Sequence, residues 1–237
     1  MNILITGTSK GLGYGLSRHY LEEGHNVYGI SRSSNQELDD YNRFSFLSQD
    51  LSDFSSVKTN VPRFLEEVSD IQIVILNAGI LNEIKDLRDT SLEEIKDTMD
   101  LNVWANKVLI DILFEEGKAI DRIVAISSGA SVSASRGWNA YSLSKAALNM
   151  LISLYSKEYT DTHFSALAPG LIDSGMQEYI SGLDDEKGDK FPLVKKLKKA
   201  RGTSQMPSPD KAADLLASGI SRLKSYSSGS FLDIRTM

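Results

Sequence analysis

The chain of 237 residues contains no cysteine, which excludes disulfides, thiolate metal sites and a cysteine nucleophile. It also lacks an excess of positive charge: 26 Lys and Arg stand against 32 Asp and Glu, a formal net charge of −6. That balance opposes long-range attraction to nucleic acid or to an anionic membrane, so neither is expected as a partner. Long hydrophobic runs are missing as well. Stretches such as Ile71 to Leu76 fall far short of the about 20 residues a membrane-spanning helix needs. The opening run Ile3-Leu4-Ile5 is cut off by Thr6-Gly7 and follows no basic segment, which argues against a secretory signal and for a cytoplasmic protein. With only five prolines, and neither a repeat nor a Pro/Gly-rich linker, nothing divides the chain. What is present is ordinary for one soluble domain with a substantial core: 41% hydrophobic and 24% charged residues.

Short apolar runs alternate with amphipathic stretches along the whole length. Strands are predicted at Asn2–Thr6, Asn26–Ile30, Arg43–Leu47, Ile71–Leu76, Ile120–Ser127 and His163–Ala168, with a last one within Ser228–Arg235. They carry Ile, Val, Leu and Phe on both faces, as strands covered by helices on each side of a parallel sheet do. Helical periodicity marks Leu12–Glu23, Phe54–Val68 and a long stretch from Leu92 to Phe114, whose start carries the capping box Ser91-x-x-Glu94. Another helix is predicted to open at Ser208-Pro209-Asp210, with serine as cap and proline at the first helical position. The alternation implies an α/β fold: a single-domain, Rossmann-like, doubly wound parallel sheet whose ligand site lies at the carboxyl ends of the strands. Residues 175–207 break the rhythm, mixing Gly182, Gly188, Pro192 and Gly202 with Lys195, Lys196, Lys198 and Lys199. This segment is expected to be a flap over the substrate, with the lysines either on a solvated helix face or facing an acidic partner.

Two constellations carry chemistry. After the first strand comes Thr6-Gly7-Thr8-Ser9-Lys10-Gly11-Leu12-Gly13, opening a helix. Glycines permit a tight turn and close backbone approach, and the helix N-terminus presents free N–H groups to an anion, so this is a phosphate cradle. Its spacing, G-x-x-x-G-x-G, differs from the common dinucleotide pattern G-x-G-x-x-G. The same residues also read G-x-S-x-G, a hydrolase nucleophile elbow at Ser9. Such an elbow needs an oxyanion loop from an earlier strand, and nothing precedes this turn but Asn2–Thr6. The three histidines, His19, His25 and His163, are also poorly placed for it. Further on, Ser127-Ser128 follows a strand, and Tyr141 and Lys145 stand at i and i+4 on one helical face. Lowering a phenol from about pH 10 toward neutrality takes about 4 kcal/mol, roughly what one ammonium about 4 Å away supplies at an effective dielectric of 20.

Taken together, these motifs resemble the short-chain dehydrogenase/reductase family from the first strand to the last helix. In order stand T-G-x-x-x-G-x-G at Thr6–Gly13, Asp50-Leu51, Asn77-Ala78-Gly79, Asn102, Ser128, Tyr141, Lys145 and Pro169-Gly170. The resemblance implies a catalytic set of Asn102, Ser128, Tyr141 and Lys145. Ser128 would orient a carbonyl oxygen, Tyr141 would protonate it, Lys145 would tune Tyr141 and hold the nicotinamide ribose, and Asn102 would anchor a water relay. It also implies a nicotinamide cofactor held by Gly7, Ser9, Lys10, Gly11, Leu12, Gly13, Arg32, Asp50, Leu51, Asn77, Ala78, Gly79, Tyr141, Lys145, Pro169, Gly170, Ile172 and Ser174, and no metal.

The second strand ends Ser31-Arg32-Ser33 where NAD-preferring enzymes place an acid, and Glu37 is too far along. Arg32, with Lys10 opposite, suits a 2′-phosphate, so NADP(H) is expected. Ser174 stands where the family commonly has threonine, and the C-terminus lacks the family's Asp-Gly-Gly ending. The stretches Pro169–Gln177 and Gly137–Tyr141 are similar to the sepiapterin reductase and benzil reductase branch. That likeness implies a ketone or diketone substrate, reduced by NADPH, in a partly apolar pocket. Trp138 is either a wall of that pocket or a core or interface side chain. A homodimer or homotetramer is expected from the family's habit of pairing through the long helices. The alternative is a catalytically silent NADP(H)-binding sensor or scaffold of the same fold.

Overall fold

Strands apolar on both faces must be covered on both sides, and seven strands, the inner ones of this kind, pair into one parallel sheet. The computed structural model describes residues 1–237. Its strands are β1 (Asn2–Thr6), β2 (Asn26–Ser31), β3 (Phe44–Ser48), β4 (Asp70–Leu76), β5 (Ala119–Ile126), β6 (His163–Ala168) and β7 (Ser230–Asp233), in the order β3-β2-β1-β4-β5-β6-β7. Every neighbouring pair is parallel. All predicted strands are present, within two residues at each end. The order reverses between β1 and β4, so their connections leave to opposite sides and open a crevice beyond their carboxyl ends.

The period of two sorts each strand between two cores. Ile3, Ile5, Ile73 and Ile75 face a layer made by α1 (Gly11–Glu22) and the late helix Pro209–Ser221. Leu4, Val74 and Leu76 face the opposite layer. After the one-turn α2 (Gln36–Asp39), that layer is formed by α3 (Phe54–Phe64), α5 (Ala105–Glu115) and α6 (Asn139–Glu158). The Ser91–Glu94 capping box opens α4 (Leu92–Met99): the Ser91 N–H donates to Glu94 Oε2 at 2.8 Å and the Glu94 N–H to Ser91 Oγ at 3.2 Å. Where the sequence predicts one helix from Leu92 to Phe114, the structure has two, joined by a π-helical turn at Asp100–Trp104. The reason is Asn102, whose carboxamide is drawn out of the helix line by backbone groups of the β4–α4 loop.

Residues 175–207 form three helices, α7 (Gly175–Gly182), α8 (Asp185–Lys190) and α9 (Pro192–Ala200). They gather Ile180, Phe191, Val194 and Leu197 around Trp138 and Ile84, a third and smaller core above the carboxyl ends of the strands. In the lysine-rich stretch, Lys195 pairs with Asp189 and Lys198 donates to the Leu183 carbonyl. The last helix, α10 (Pro209–Ser221), begins at Pro209 as predicted, but the Ser208 side chain makes no capping hydrogen bond. No helix is long and apolar enough to cross a membrane.

Candidate active site

One cleft of about 1190 Å³ runs along the carboxyl ends of the strands, from the end of β2 past the glycine turn to the start of α6. The end beside the glycine turn is set by backbone. Gly7 and Gly11 have φ of +76° and +60°, a region L side chains rarely adopt. Asn77 bolts the turn to β4: its Nδ2 donates to the Thr6 carbonyl at 2.9 Å, while Thr6 Oγ1 accepts from the N–H groups of Asn77 and Ala78, both at 3.0 Å. At Gly13 a Cβ would lie 2.1 Å from the Gly7 carbonyl oxygen. Gly13 therefore serves helix-to-turn packing and, contrary to expectation, does not line the cleft. The first turn of α1 contains no acidic residue, and Lys10 at its N-cap makes no capping bond. Its N-terminal N–H donors thus face the cleft without a carboxylate, which fits a pyrophosphate.

Beyond β2, Arg32 and Lys10 both line the cleft, and neither cation has an ion-pair or side-chain hydrogen-bond partner in the protein. The nearby acids are engaged elsewhere, Glu37 by the Tyr14 hydroxyl and Asp39 by Ser34. Asp50 accepts from the Ser52 N–H at 2.9 Å and the Ser52 hydroxyl at 2.6 Å. These bonds, aided by the charge of Arg32, hold its carboxyl below the usual range.

At the other end the side chains decide. Ser127 turns its hydroxyl to Asn149 Oδ1, at 2.6 Å, and leaves Ser128 as the hydroxyl beside Tyr141. The N-terminus of α6 is pinned by the β4–α4 loop: the Tyr141 N–H donates to Asn82 Oδ1 at 3.0 Å, and Asn139 Nδ2 to the Lys85 carbonyl at 2.6 Å. Lys145, only 4% exposed, donates to the Ile126 carbonyl at 2.7 Å and stands 5.8 Å from the centre of the Tyr141 ring. Burial pushes the Lys145 ammonium down to about 8. It also pushes the Tyr141 phenol up, and the Ser128 hydroxyl pulls the phenol only part of the way back. The expected lowering of Tyr141 by Lys145 is thus not met in the protein alone, because the enclosed site disfavours both charged forms.

Asn102 departs from expectation in a second way. It is fully buried and outside the cleft. Its Oδ1 accepts from the Ile80 N–H at 2.8 Å, its Nδ2 donates to the Ile80 carbonyl at 3.0 Å and Ser144 Oγ at 2.9 Å, and its own carbonyl accepts from Asn106. A side chain so fully engaged knits the β4–α4 loop to α6. Gly79 completes that junction, since a Cβ there would meet Asn102 Oδ1 at 3.0 Å and approach Lys145 Nζ to 3.6 Å.

All the other expected residues line one cleft: Gly7, Ser9, Lys10, Gly11, Leu12, Arg32, Asp50, Leu51, Asn77, Ala78, Gly79, Ser128, Tyr141, Lys145, Pro169, Gly170, Ile172 and Ser174. Trp138, Met176, Tyr179, Ile180, Leu193 and Leu197 wall its far end. Trp138 is therefore both a wall and a member of the third core. The sequence reading missed Gln177, Tyr179 and Arg235 on the cleft surface. The apolar spacing of Ile180, Phe191, Val194 and Leu197 was a usable signal for the helices that bring the first two there.

The family model described as short chain dehydrogenase matches residues 1–183. A benzil reductase ((S)-benzoin forming) from Bacillus subtilis is 30% identical, covering 98% of this chain and 97% of the relative. The benzil reductase of Bacillus cereus is 31% identical, covering 75% and 78%. Among solved structures, a short-chain dehydrogenase/reductase from Saccharomyces cerevisiae superposes with a TM-score of 0.83 at 24% identity, covering 98% of this chain and 95% of that one. In fold, motif order and sequence, the chain belongs to the short-chain dehydrogenase family of oxidoreductases.

Proposed function

We propose that this oxidoreductase reduces a ketone or diketone carbonyl to an alcohol, with NADP(H) as cofactor. One observation carries the reading: a single cleft joins an acid-free phosphate cradle to Ser128, Tyr141 and Lys145. The cofactor supplies the hydride when bound. Ser128 holds the substrate oxygen by its hydroxyl, and Tyr141 donates the phenolic proton to that oxygen as negative charge develops on it. A phenol that burial keeps protonated is competent for this donation. The Lys145 ammonium, held at the end of β5 by Ile126, steadies the resulting phenolate and offers hydrogen bonds to a ribose. Asn102 positions α6 through Ser144, whose hydroxyl donates to the Tyr141 carbonyl at 2.8 Å.

The preference for NADP(H) rests on Arg32 and Lys10, two unpartnered cations at the end where a 2′-phosphate would lie. A diketone substrate rests on the benzil reductase relatives and on the apolar far wall with Trp138. A homodimer through the long helices is supported by apolar side chains that α6 leaves bare, Leu143, Met150 and Leu154, and by exposed Trp104 in the turn before α5.

Purified protein given aromatic ketones and 1,2-diketones should oxidise NADPH faster than NADH. Arg32→Ala should narrow that preference by about tenfold, on the order of one charge-assisted hydrogen bond. Tight nucleotide binding without turnover on any carbonyl would instead favour a silent binding protein.

A further inference from the structure

On α6, Tyr141, Lys145 and Asn149 stand at i, i+4 and i+8, one stripe of the helix. The first two line the cleft and the third does not. Asn149 instead grips the chain on both sides of Ser128. Its Oδ1 accepts from the Ser127 hydroxyl at 2.6 Å, and its Nδ2 donates to Ser131 Oγ at 2.8 Å. Ser131 Oγ in turn donates to the Ser128 carbonyl at 2.6 Å. A hydroxyl has a single proton, so these roles are forced. Ser131 gives its proton to Ser128 and can only accept from Asn149, which therefore presents its N–H there and its oxygen to Ser127.

The turn held in this way decides what Ser128 can do. Ser128 caps the short helical turn Gly129–Ser131, its Oγ accepting from the Ala130 N–H at 3.2 Å. With that N–H on one lone pair, the hydroxyl proton is left to point elsewhere, and the Tyr141 phenol stands within hydrogen-bond reach. A substrate carbonyl oxygen only accepts, so Ser128 can hold it only as a donor. Little else fixes the turn. Val132, Ser133 and Ala134 are exposed, and the remaining hydrogen bonds of residues 129–133 are local, from Ser131, Val132 and Ser133 to the carbonyls of Ser128 and Gly129. Asn149 makes the one hydrogen bond that reaches these residues from another element.

We propose that Asn149 is a positioning residue for Ser128, holding the substrate-binding hydroxyl in register with the helix that carries Tyr141 and Lys145. This rests on the reading of Ser128 as the group that holds the substrate oxygen. Through Asn149 the serine, the tyrosine and the lysine share one rigid frame, so that serine and tyrosine meet a single oxygen from fixed directions. The residue type follows from the task. A carboxamide offers an acceptor and a donor side by side, whereas an aliphatic side chain offers neither and a carboxylate offers no donor.

The test reads three quantities: turnover of the diketone phenylpropanedione with NADPH, the NADPH dissociation constant, and amide exchange at Ala130 in the cofactor-free protein. Asn149→Ala and Ser131→Ala should each lower kcat about tenfold and leave NADPH affinity as in wild type, Ser131→Ala doing so without touching α6. In a Ser128→Ala background neither should slow turnover further, because no hydroxyl is left to place. The Ala130 amide should exchange about tenfold faster in either variant. Unchanged kcat or unchanged Ala130 exchange would overturn the assignment. So would a loss that persists in full beside Ser128→Ala, or an NADPH affinity that falls in step with kcat, since both mark a general structural role. If Ser128→Ala alone leaves turnover whole, the reading of Ser128 fails and the assignment falls with it. A crippled Ser128→Ala beside a fully active Asn149→Ala sinks the assignment alone. If wild type leaves the diketone unreduced, the diketone reading fails first and the assignment with it.

Discussion

The two ends of the cleft are built by opposite means. At the nucleotide end the wall is mostly main chain: positive-φ glycines, a helix N-terminus and carbonyls clamped by Asn77. At the substrate end it is mostly side chain, a small core around Phe191 carried by three short helices. Main-chain walls tolerate almost no substitution yet recognise one ligand part, whereas a wall of side chains can be re-cut residue by residue. The contrast explains how one scaffold can keep its coenzyme chemistry and vary its substrate.

The sharpest cut across this comparison is Tyr141→Phe, which sits where the two ends meet. It should lower kcat by about 10³-fold, within the range for losing a general acid, while the dissociation constant for NADPH stays nearly unchanged. Single-turnover kinetics alongside a binding titration would check both. Undiminished turnover would remove Tyr141 as proton donor.

Next come paired truncations, one at each end. Phe191 is 1% exposed, and Phe191→Ala should cost about 3 kcal/mol in a urea melt yet leave NADPH binding nearly intact. Gly13→Ala forces a Cβ to 2.1 Å from the Gly7 oxygen, so it should abolish most nucleotide binding and cost about 1–3 kcal/mol of stability. If Phe191→Ala also destroyed NADPH binding, the two ends would not be separable.

Most of the nucleotide end was legible in the sequence because its constraints are local. Gly7, Gly11, Asp50 and Asn77 each follow a strand at short range, and strand ends are visible as apolar runs. Tyr141 and Lys145 were legible for the same reason, four residues apart on one helix. What escaped were features set by distant partners. Gly13 and Asn102 look like ligand residues until Gly7 and Ile80 are seen to occupy them. Residues 175–207 form only short helices, and what their apolar faces pack against was not legible, since only the meeting of Phe191 with Ile84 and Trp138 gives them a core. The charge state of the Tyr141–Lys145 pair was also out of reach, since it depends on how completely the pair is enclosed.

That enclosure yields the smallest expected effect. Burial lowers Lys145 from its ordinary 10.5 to about 8, so below pH 8 the folded protein carries a charge it disfavours by about 3 kcal/mol. Lys145→Met relieves this penalty and gives up the bond to Ile126, a net gain of about 2 kcal/mol at pH 7. Between pH 8 and 10.5 the unfolded chain holds the proton more firmly than the folded one, so wild-type stability rises with pH and the advantage of the variant fades. Melts of both proteins at pH 7 and pH 10 check the sign. An advantage that grew with pH would contradict the burial argument. The variant should also be inactive, trading function for stability.

The π-helical turn at Asp100–Trp104 makes the chain length between α4 and α5 consequential. Such a turn houses one residue more than an α-helix can. Removing a single residue there would heal the helix into a smooth rod with α4 and α5 still in phase. α5 would keep its apolar flank on the sheet, but Asn102 would lose its place opposite Ile80. A one-codon deletion in this turn should therefore spare the flanking helices and undo the junction between the β4–α4 loop and α6, which gives the bulge the standing of an insertion that serves that junction.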